Sequence, residues 1–118
     1  MNIEEFRIYC LSKPKVTEAF PFDETTLVFK VCGKIFALTG LESIEFEVNL
    51  KCDPDRAIEL REAHESIRAG FHMNKKHWNT VHVDGSFSDA LFRDLIDHSY
   101  DMVVKGLPKK LRDQMTTE

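Results

Sequence analysis

The chain has 118 residues and a formal net charge of −4 at pH 7, and 42% of its residues are hydrophobic while 31% are charged. This length predicts a single domain over residues 1–118, and the balance of residue types excludes a disordered or fibrous protein. Because acidic residues outnumber basic ones, bulk charge cannot attract nucleic acid, so contact with DNA would need a local basic patch.

The first ten residues, MNIEEFRIYC, lack the basic and apolar regions of a signal peptide, and no run approaches 18 apolar residues. We therefore expect a cytoplasmic protein that makes no contact with membranes. The three cysteines, Cys10, Cys32 and Cys52, include no C-x-x-C pair and are expected to be buried free thiols.

The N-terminal segment has the signature of a short helix followed by a hairpin. Asn2 and Glu5 have the spacing of a capping box, which predicts an amphipathic helix over residues 2–12. The apolar pattern then changes to period two, and Gly33-Lys34 predicts the tight turn of a β-hairpin.

The central segment predicts a further strand and a second helix. In IEFEVNL, residues 44–50, apolar side chains alternate with two glutamates and an asparagine, which predicts a strand whose solvent-facing side is acidic. Asp53 followed by Pro54 predicts the start of a helix that ends before Gly70.

Two more strands and a long helix complete the predicted fold. Period-two alternation on either side of NKKH predicts a hairpin over residues 71–83, although Asn74 has the chemistry to cap one helical turn there instead. Ser86 or Ser88 is expected to cap the last helix, and residues 106–108, Gly-Leu-Pro, are expected to end it.

The order of these elements is helix, three or four strands, helix, two strands, helix. This order predicts an α+β fold in which an antiparallel sheet of about five strands has helices packed on one face. The opposite face would then be available for binding.

The residue pattern gives little support to catalysis or metal binding. His72, His77 and His82 are five residues apart, a spacing that sends neighbouring strand side chains to opposite faces, so no metal site is predicted. No glycine-rich phosphate loop or nucleophile turn is evident, and the glutamates of the 44–50 strand are typical of a solvated face. We expect a protein without enzymatic activity, metal or cofactor.

The segment GFHMNKKHWNTV, residues 70–81, is instead typical of a binding surface. Lys75 and Lys76 would place two ammonium groups at one turn. Asn74 and His77 would add hydrogen-bond donors, and the neighbouring tryptophan would supply a flat ring for sugar or base. Each feature has a structural alternative, since lysines can keep a turn soluble and a tryptophan can fill a core.

A second basic cluster, KGLPKKLR at residues 105–112, follows the last predicted helix. Cations near the C-terminal end of a helix are stabilised by the helix dipole without any ligand. This cluster is therefore compatible with either a structural or a binding role.

Three blocks of sequence, in the same order, resemble the MmcQ/YjbR family of small bacterial proteins: LKCDPDRAIELRE at 50–62, GFHMNKKHWNTV at 70–81 and LIDHSYDMVVKGLPKK at 95–110. The resemblance covers nearly the whole chain. The sequence departs from the usual family pattern at Ala69, where a proline is common, and at Phe71, where a tyrosine is common. The resemblance implies a compact CyaY-like α+β fold and a DNA-binding role through a double wing of β-hairpins, and it implies no catalytic residues.

The resulting hypothesis is a monomeric DNA-binding protein that contacts the phosphate backbone through a basic hairpin wing, with little sequence specificity. The residues assigned to this role are Arg68, Asn74, Lys75, Lys76, His77, Lys109 and Lys110. Protonation of His77 would strengthen the contact, so binding is expected to rise at acidic pH. The alternative is a protein-interaction or small-ligand-binding module of unknown function that uses the open sheet face, where the acidic strand would suit a basic partner.

Overall fold

The computed structural model describes residues 1–115, in which four helices accompany one six-stranded sheet. The helices are α1 (Ile3–Leu11), α2 (Pro54–Ala63), α3 (Asp89–Lys105) and α4 (Lys109–Met115). The strands are β1 (Val16–Ala19), β2 (Thr26–Val31), β3 (Lys34–Gly40), β4 (Glu47–Lys51), β5 (Ile67–Ala69) and β6 (Trp78–His82). The predicted α+β class is confirmed, with six strands where about five were expected.

The strands lie in the order β1-β2-β3-β4-β6-β5, and every neighbouring pair is antiparallel. β1, β2 and β3 form a meander, whereas α2 carries the chain past β4 to the edge strand β5. β5 then returns as a hairpin into β6. This topology places β6, which was predicted to carry binding residues, between two other strands.

One face of the sheet forms the hydrophobic core with the helices. Phe6 of α1 is fully buried and meets Phe29 of β2 edge-on, with 5.4 Å between ring centroids, and it stacks on Phe92 of α3 at 5.9 Å. Ser99 of α3 is also fully buried, and its hydroxyl accepts a hydrogen bond from the Lys51 N–H at 2.8 Å. The same hydroxyl donates to a β3 carbonyl at 2.5 Å, so α3 is fixed to two strands.

The register defines the opposite face of the sheet, which we call the open face. Directly paired residues project to the same side. Their pairing places Val28, Leu38, Asn49, Thr80 and Arg68 in one row across five strands.

The helix starts follow local capping chemistry. The Asn2 side chain accepts from the Glu5 N–H at 2.8 Å while the Glu5 carboxylate accepts from the Asn2 N–H at 3.2 Å, which confirms the predicted capping box. Asp53 caps α2 with Pro54 in its first turn, and Ser88 caps α3. These caps satisfy helix N–H groups that would otherwise lack partners.

The hairpin between β2 and β3 is also confirmed. Its two turn residues are Cys32 and Gly33, with φ of 48° and 81°. Two consecutive left-handed residues are typical of the type I′ turn that suits the twist of a two-residue hairpin. Lys34 is thus the first residue of β3 and lies outside the turn itself.

The strand predicted over residues 44–50 is shorter than expected. β4 begins at Glu47, and Ile44 is fully exposed, with a relative accessibility of 103%. The first β4 residue in the ladder is Glu47, which pairs with His82 of β6, while the pairing with β3 reaches only Val48, so neither neighbouring strand extends the ladder to residues 44–46. Alternation alone cannot supply the hydrogen bonds of a strand.

Two other boundaries differ from the sequence-based prediction. α2 ends at Ala63, well before Gly70, and the freed residues form β5. The last helix ends at Lys105 as expected, but the basic residues beyond it start a separate helix, α4. Lys109 and Lys110 therefore lie at a helix N-terminus, where the dipole disfavours cations, so the predicted dipole explanation for them is wrong.

Candidate nucleic-acid interface

The segment between β5 and β6, residues 70–77, contains the predicted binding motif, and we call it the basic loop. The backbone carbonyl of Asn74 accepts from the N–H groups of His77 at 3.2 Å and Trp78 at 3.0 Å. The Asn74 side chain accepts from the Lys76 N–H at 2.9 Å. The loop thus contains one helical turn capped by Asn74, as the alternative interpretation held. The strand predicted after NKKH is confirmed as β6, whereas the strand predicted over residues 71–73 is wrong, because the partner of β6 is β5 at Ile67–Ala69.

The two adjacent lysines of the basic loop have different surroundings. The Lys75 ammonium donates to the Gly70 carbonyl at 3.0 Å, so it turns back onto its own loop. Lys76 is exposed, and no carboxylate among residues 1–115 lies within ion-pair distance of its ammonium. His77 is half-buried beside them. Of the tandem pair, Lys76 is the cation best placed to meet an anion.

Arg61 of α2 holds the basic loop in place, and sequence reasoning did not identify it. Its Nε donates to the Asn79 side-chain oxygen at 2.7 Å. Its Nη2 donates to the Trp78 carbonyl at 3.3 Å and also to the Lys75 carbonyl. A basic residue in the last turn of a helix gives no sequence signal of such a role.

The other cations of the predicted binding site lie outside the basic loop. Arg68 of β5 forms an ion pair with Glu47 of β4 across the open face, so its charge is already compensated. This pairing also weakens the idea that the acidic strand attracts a basic partner. Lys109 and Lys110 are exposed, with no ion-pair partner in the described part of the chain.

Three further lysines converge at one end of the sheet. Lys30 of β2, Lys34 of β3 and Lys51 of β4 line a depression of about 450 Å³ together with Trp78, and we call it the lysine depression. None of the described residues that line it is acidic. The three lysines are far apart in sequence and come together only through strand pairing, so the sequence pattern missed them.

The lysine depression also brings the two predicted basic clusters to the same end of the molecule. Gly106, at the end of α3, lines it together with Trp78. Lys76 is two residues before that tryptophan, and Lys109 follows that glycine by three. The turn of the β2–β3 hairpin and the basic loop therefore flank one cationic surface.

A second depression, of about 550 Å³, lies on the open face, and we call it the aromatic trough. It is lined by Phe22, Leu38, Phe71 and Met73 among others. Phe22 and Phe71 are 66% and 62% exposed, which is unusual for phenylalanine. Phe22 also lines the lysine depression, so the two depressions adjoin.

A closed set of hydrogen bonds fixes the backbone of Phe71 over the open face. The Phe71 N–H donates to the Thr80 hydroxyl at 2.9 Å, and that hydroxyl donates to the Asn49 side-chain oxygen at 2.6 Å. The Asn49 amide completes the set by donating to the Phe71 carbonyl at 3.3 Å. The next residue, His72, has a left-handed φ of 59°, and the two rings are 3.9 Å apart.

Two of the three thiols are buried in the unreactive, protonated form. Burial raises the pKa of Cys10 to about 12 and that of Cys52 to about 11, so both remain protonated at neutral pH. The thiolate is the reactive form of cysteine. Cys32 contacts the sulfur of Met115 at 3.6 Å.

Within residues 1–115, no group of three or more His, Cys, Asp or Glu side chains is placed to hold a metal ion. None of the helices in this part of the chain is both long and apolar enough to span a bilayer.

The fold and this surface define a small α+β protein with one helix-covered sheet face and one open face bearing cations and exposed aromatic rings. The YjbR family model matches residues 11–102, and the chain belongs to this family. It is 45% identical over 105 residues to the uncharacterized protein YbdF of Escherichia coli O157:H7, with 88% of this chain and 84% of that protein covered. It is 36% identical over 112 residues to the uncharacterized protein YjbR of Escherichia coli K12, with 95% of both chains covered.

Solved structures share the fold. The crystal structure of the Deinococcus radiodurans protein DR2400, with a DUF419 domain, has a TM-score of 0.90 and 42% identity, covering 97% of this chain and 87% of that one. A crystal structure from Pseudomonas syringae has a TM-score of 0.74 and 26% identity, covering 86% and 98%.

Proposed function

We propose that the protein binds DNA through its sugar–phosphate backbone, with the lysine depression at the centre of the contact. One observation carries the proposal: Lys30, Lys34 and Lys51 come from three different strands to one depression, and no acidic residue is among its described lining residues. Like charges converge at a free-energy cost unless an anion compensates them, and phosphate is the anion that DNA presents.

The loops around the depression support a contact made by two hairpins. Lys34 of the β2–β3 hairpin lines the depression, and so does Trp78, which the basic loop with Lys76 immediately precedes. Lys109 and Lys110 follow Gly106, another lining residue, by three and four positions. Arg68 and Lys75, which bind Glu47 and Gly70 within the protein, contribute less than the sequence suggested.

The expected binding is weak and strongly dependent on salt. Contacts of the three lysines of the depression and Lys76 with four phosphates would give a slope of log affinity against log salt of about −3.6. This slope corresponds to a loss of affinity of roughly a hundredfold between 50 and 200 mM salt. Backbone contacts carry no sequence information, so little preference among sequences is expected.

Fluorescence anisotropy with a labelled duplex at several salt concentrations tests the proposal. The Lys34→Gln/Lys51→Gln variant should bind at least tenfold more weakly at 50 mM salt, with a slope shallower by about 1.8. The control is Arg7→Gln/Arg93→Gln, which also removes two positive charges, but from α1 and α3, and should leave the slope unchanged. Equal weakening in both double variants, or a wild type that binds neither duplex nor single-stranded DNA, would refute the proposal.

A second comparison separates the two lysines of the basic loop. Lys76→Gln should lower the salt slope by about 0.9, whereas Lys75→Gln should change it less because its ammonium is directed to the Gly70 carbonyl. A wild-type slope in both variants would remove the basic loop from the contact, and an equal decrease in both would contradict the different roles of the two lysines. A wild type that binds no nucleic acid would instead favour a protein-interaction or small-ligand module, for which the apolar lining of the aromatic trough is suited.

A further inference from the structure

We infer that the open face binds single-stranded nucleic acid, with phosphates in the lysine depression and bases stacked on Phe22 and Phe71 in the aromatic trough. This inference rests on the proposed function, since it assigns the strand type that the same cationic surface takes. Proteins that bind single strands combine a cationic path for the backbone with aromatic rings for successive bases.

The two exposed rings are the first reason for this choice. Phe22 and Phe71 are 66% and 62% exposed beside a depression that could hold a ligand of a few hundred cubic ångströms. A duplex keeps the faces of its bases stacked inside the helix and offers only their edges in the grooves. These rings could therefore stack on bases only if the strand is unpaired.

The distribution of charge along the open face is the second reason. The lysine depression is cationic. In the aromatic trough Arg68 compensates Glu47, whereas Asp23 keeps its negative charge, because hydrogen bonds from the Thr25 and Thr26 N–H groups lower the pKa of its carboxyl. Phosphates would thus favour the lysine depression, and uncharged bases could occupy the aromatic trough. Phe22 lines both ends, so one strand can run from the first depression into the second.

The third reason is that the backbone carrying the Phe71 ring is already ordered. Asn49 and Thr80 hold the Phe71 N–H and carbonyl groups over the sheet. A stacking ring on a fixed backbone loses little conformational freedom when a base binds. A mobile loop would have to become ordered first.

The experiment compares a labelled 12-nucleotide oligothymidine, a labelled duplex of the same length and thymidine monophosphate at 50 mM salt. The single strand should bind at least tenfold more tightly than the duplex, and the monophosphate much more weakly than the strand. Phe22→Ala and Phe71→Ala should each weaken binding of the single strand by about 5-fold to 150-fold, and leave duplex binding unchanged. Phe22→Tyr keeps the ring and should retain affinity for the strand.

Ile8→Ala is the matched control, because Ile8 is also 66% exposed but lies on α1, outside both depressions. Trp78, the one tryptophan of the sequence, lines the lysine depression, so quenching of its emission by the unlabelled strand would report binding at this site. Duplex binding equal to that of the single strand, or unchanged strand affinity in both alanine variants, would overturn the inference while leaving the proposed function in place. Monophosphate binding as tight as that of the strand would also overturn it, and binding of neither polymer would refute the proposed function itself.

Discussion

Replacing Arg61 by lysine tests the idea that one guanidinium organises the basic loop. The Arg61 side chain reaches three acceptors, which are the side-chain oxygen of Asn79 and the carbonyls of Lys75 and Trp78. A lysine keeps the positive charge but lacks the planar fork that can serve several acceptors at once. The substitution therefore removes geometry while conserving charge.

The expected magnitude follows from burial of the acceptors. Asn79 is only 2% exposed, so leaving its side-chain oxygen without a donor should cost about 1–3 kcal/mol. The two loop carbonyls lie nearer the surface and can be partly rehydrated, which adds about 1 kcal/mol or less. We expect Arg61→Lys to lower the free energy of unfolding by about 2–3 kcal/mol, a large share of the 5–15 kcal/mol typical of a domain.

Urea denaturation followed by the fluorescence of Trp78 and by circular dichroism measures this change. The control is Arg112→Lys, the same chemical substitution at an exposed position of α4, which should stay within about 0.5 kcal/mol of the wild type. A change of less than about 0.5 kcal/mol for Arg61→Lys would show that the guanidinium contacts do not hold the loop.

Three further substitutions probe the framework around the site. A Cβ at Gly70 would lie 2.8 Å from the Trp78 Cβ, so Gly70→Ala should lower the midpoint of urea denaturation by the equivalent of about 1–3 kcal/mol, and an unchanged midpoint would contradict this packing. Burial lowers the pKa of His98, whose Nε2 accepts from the Asp53 N–H, so protons favour the unfolded chain and stability should fall as pH drops below about 6.5. His98→Gln should flatten this dependence in urea titrations at pH 7 and 5, and an equally steep dependence in the variant would assign it to other groups. Ser99→Ala should cost about 1–3 kcal/mol in thermal denaturation because it leaves two buried backbone groups without partners, and a wild-type melting temperature would exclude that role.

Features set by neighbouring residues could be predicted from the sequence. The Asn2 and Glu5 side chains act within one helical turn, and Asp53 needs only the helix that follows it. The β2–β3 hairpin likewise depends on the conformational freedom of Gly33. In each case the interaction spans a few residues, so no knowledge of the tertiary fold is required.

Features set by the pairing of strands that are distant in sequence could not be predicted. Alternation extended the predicted strand back to Ile44, but the ladder begins only at Glu47, which pairs with His82 of β6. Lys30 and Lys51 each look like an ordinary solvent-facing strand residue, and only the sheet order brings them to one depression. Long-range register is information that a local pattern does not contain.

Adjacency in sequence was also a poor guide to the basic loop. Lys75 and Lys76 are consecutive, yet the turn capped by Asn74 directs the first ammonium to a carbonyl of the loop and leaves the second exposed. The motif leads directly into Trp78, which lines the lysine depression, while the contribution that each residue could make depends on how its loop folds.

The net negative charge of the protein limits the number of phosphates that it could contact. With a net charge of −4, the protein as a whole repels phosphate, so under the proposed function DNA would be held only at the lysine depression, whose described lining contains no acidic residue. A uniformly basic protein would accumulate many contacts and a steep salt dependence, whereas a single patch limits the number of phosphates to a few. A measured slope much steeper than about −5 would thus require contacts beyond this patch, and a slope near −3.6 would match contacts from the three lysines of the depression and Lys76.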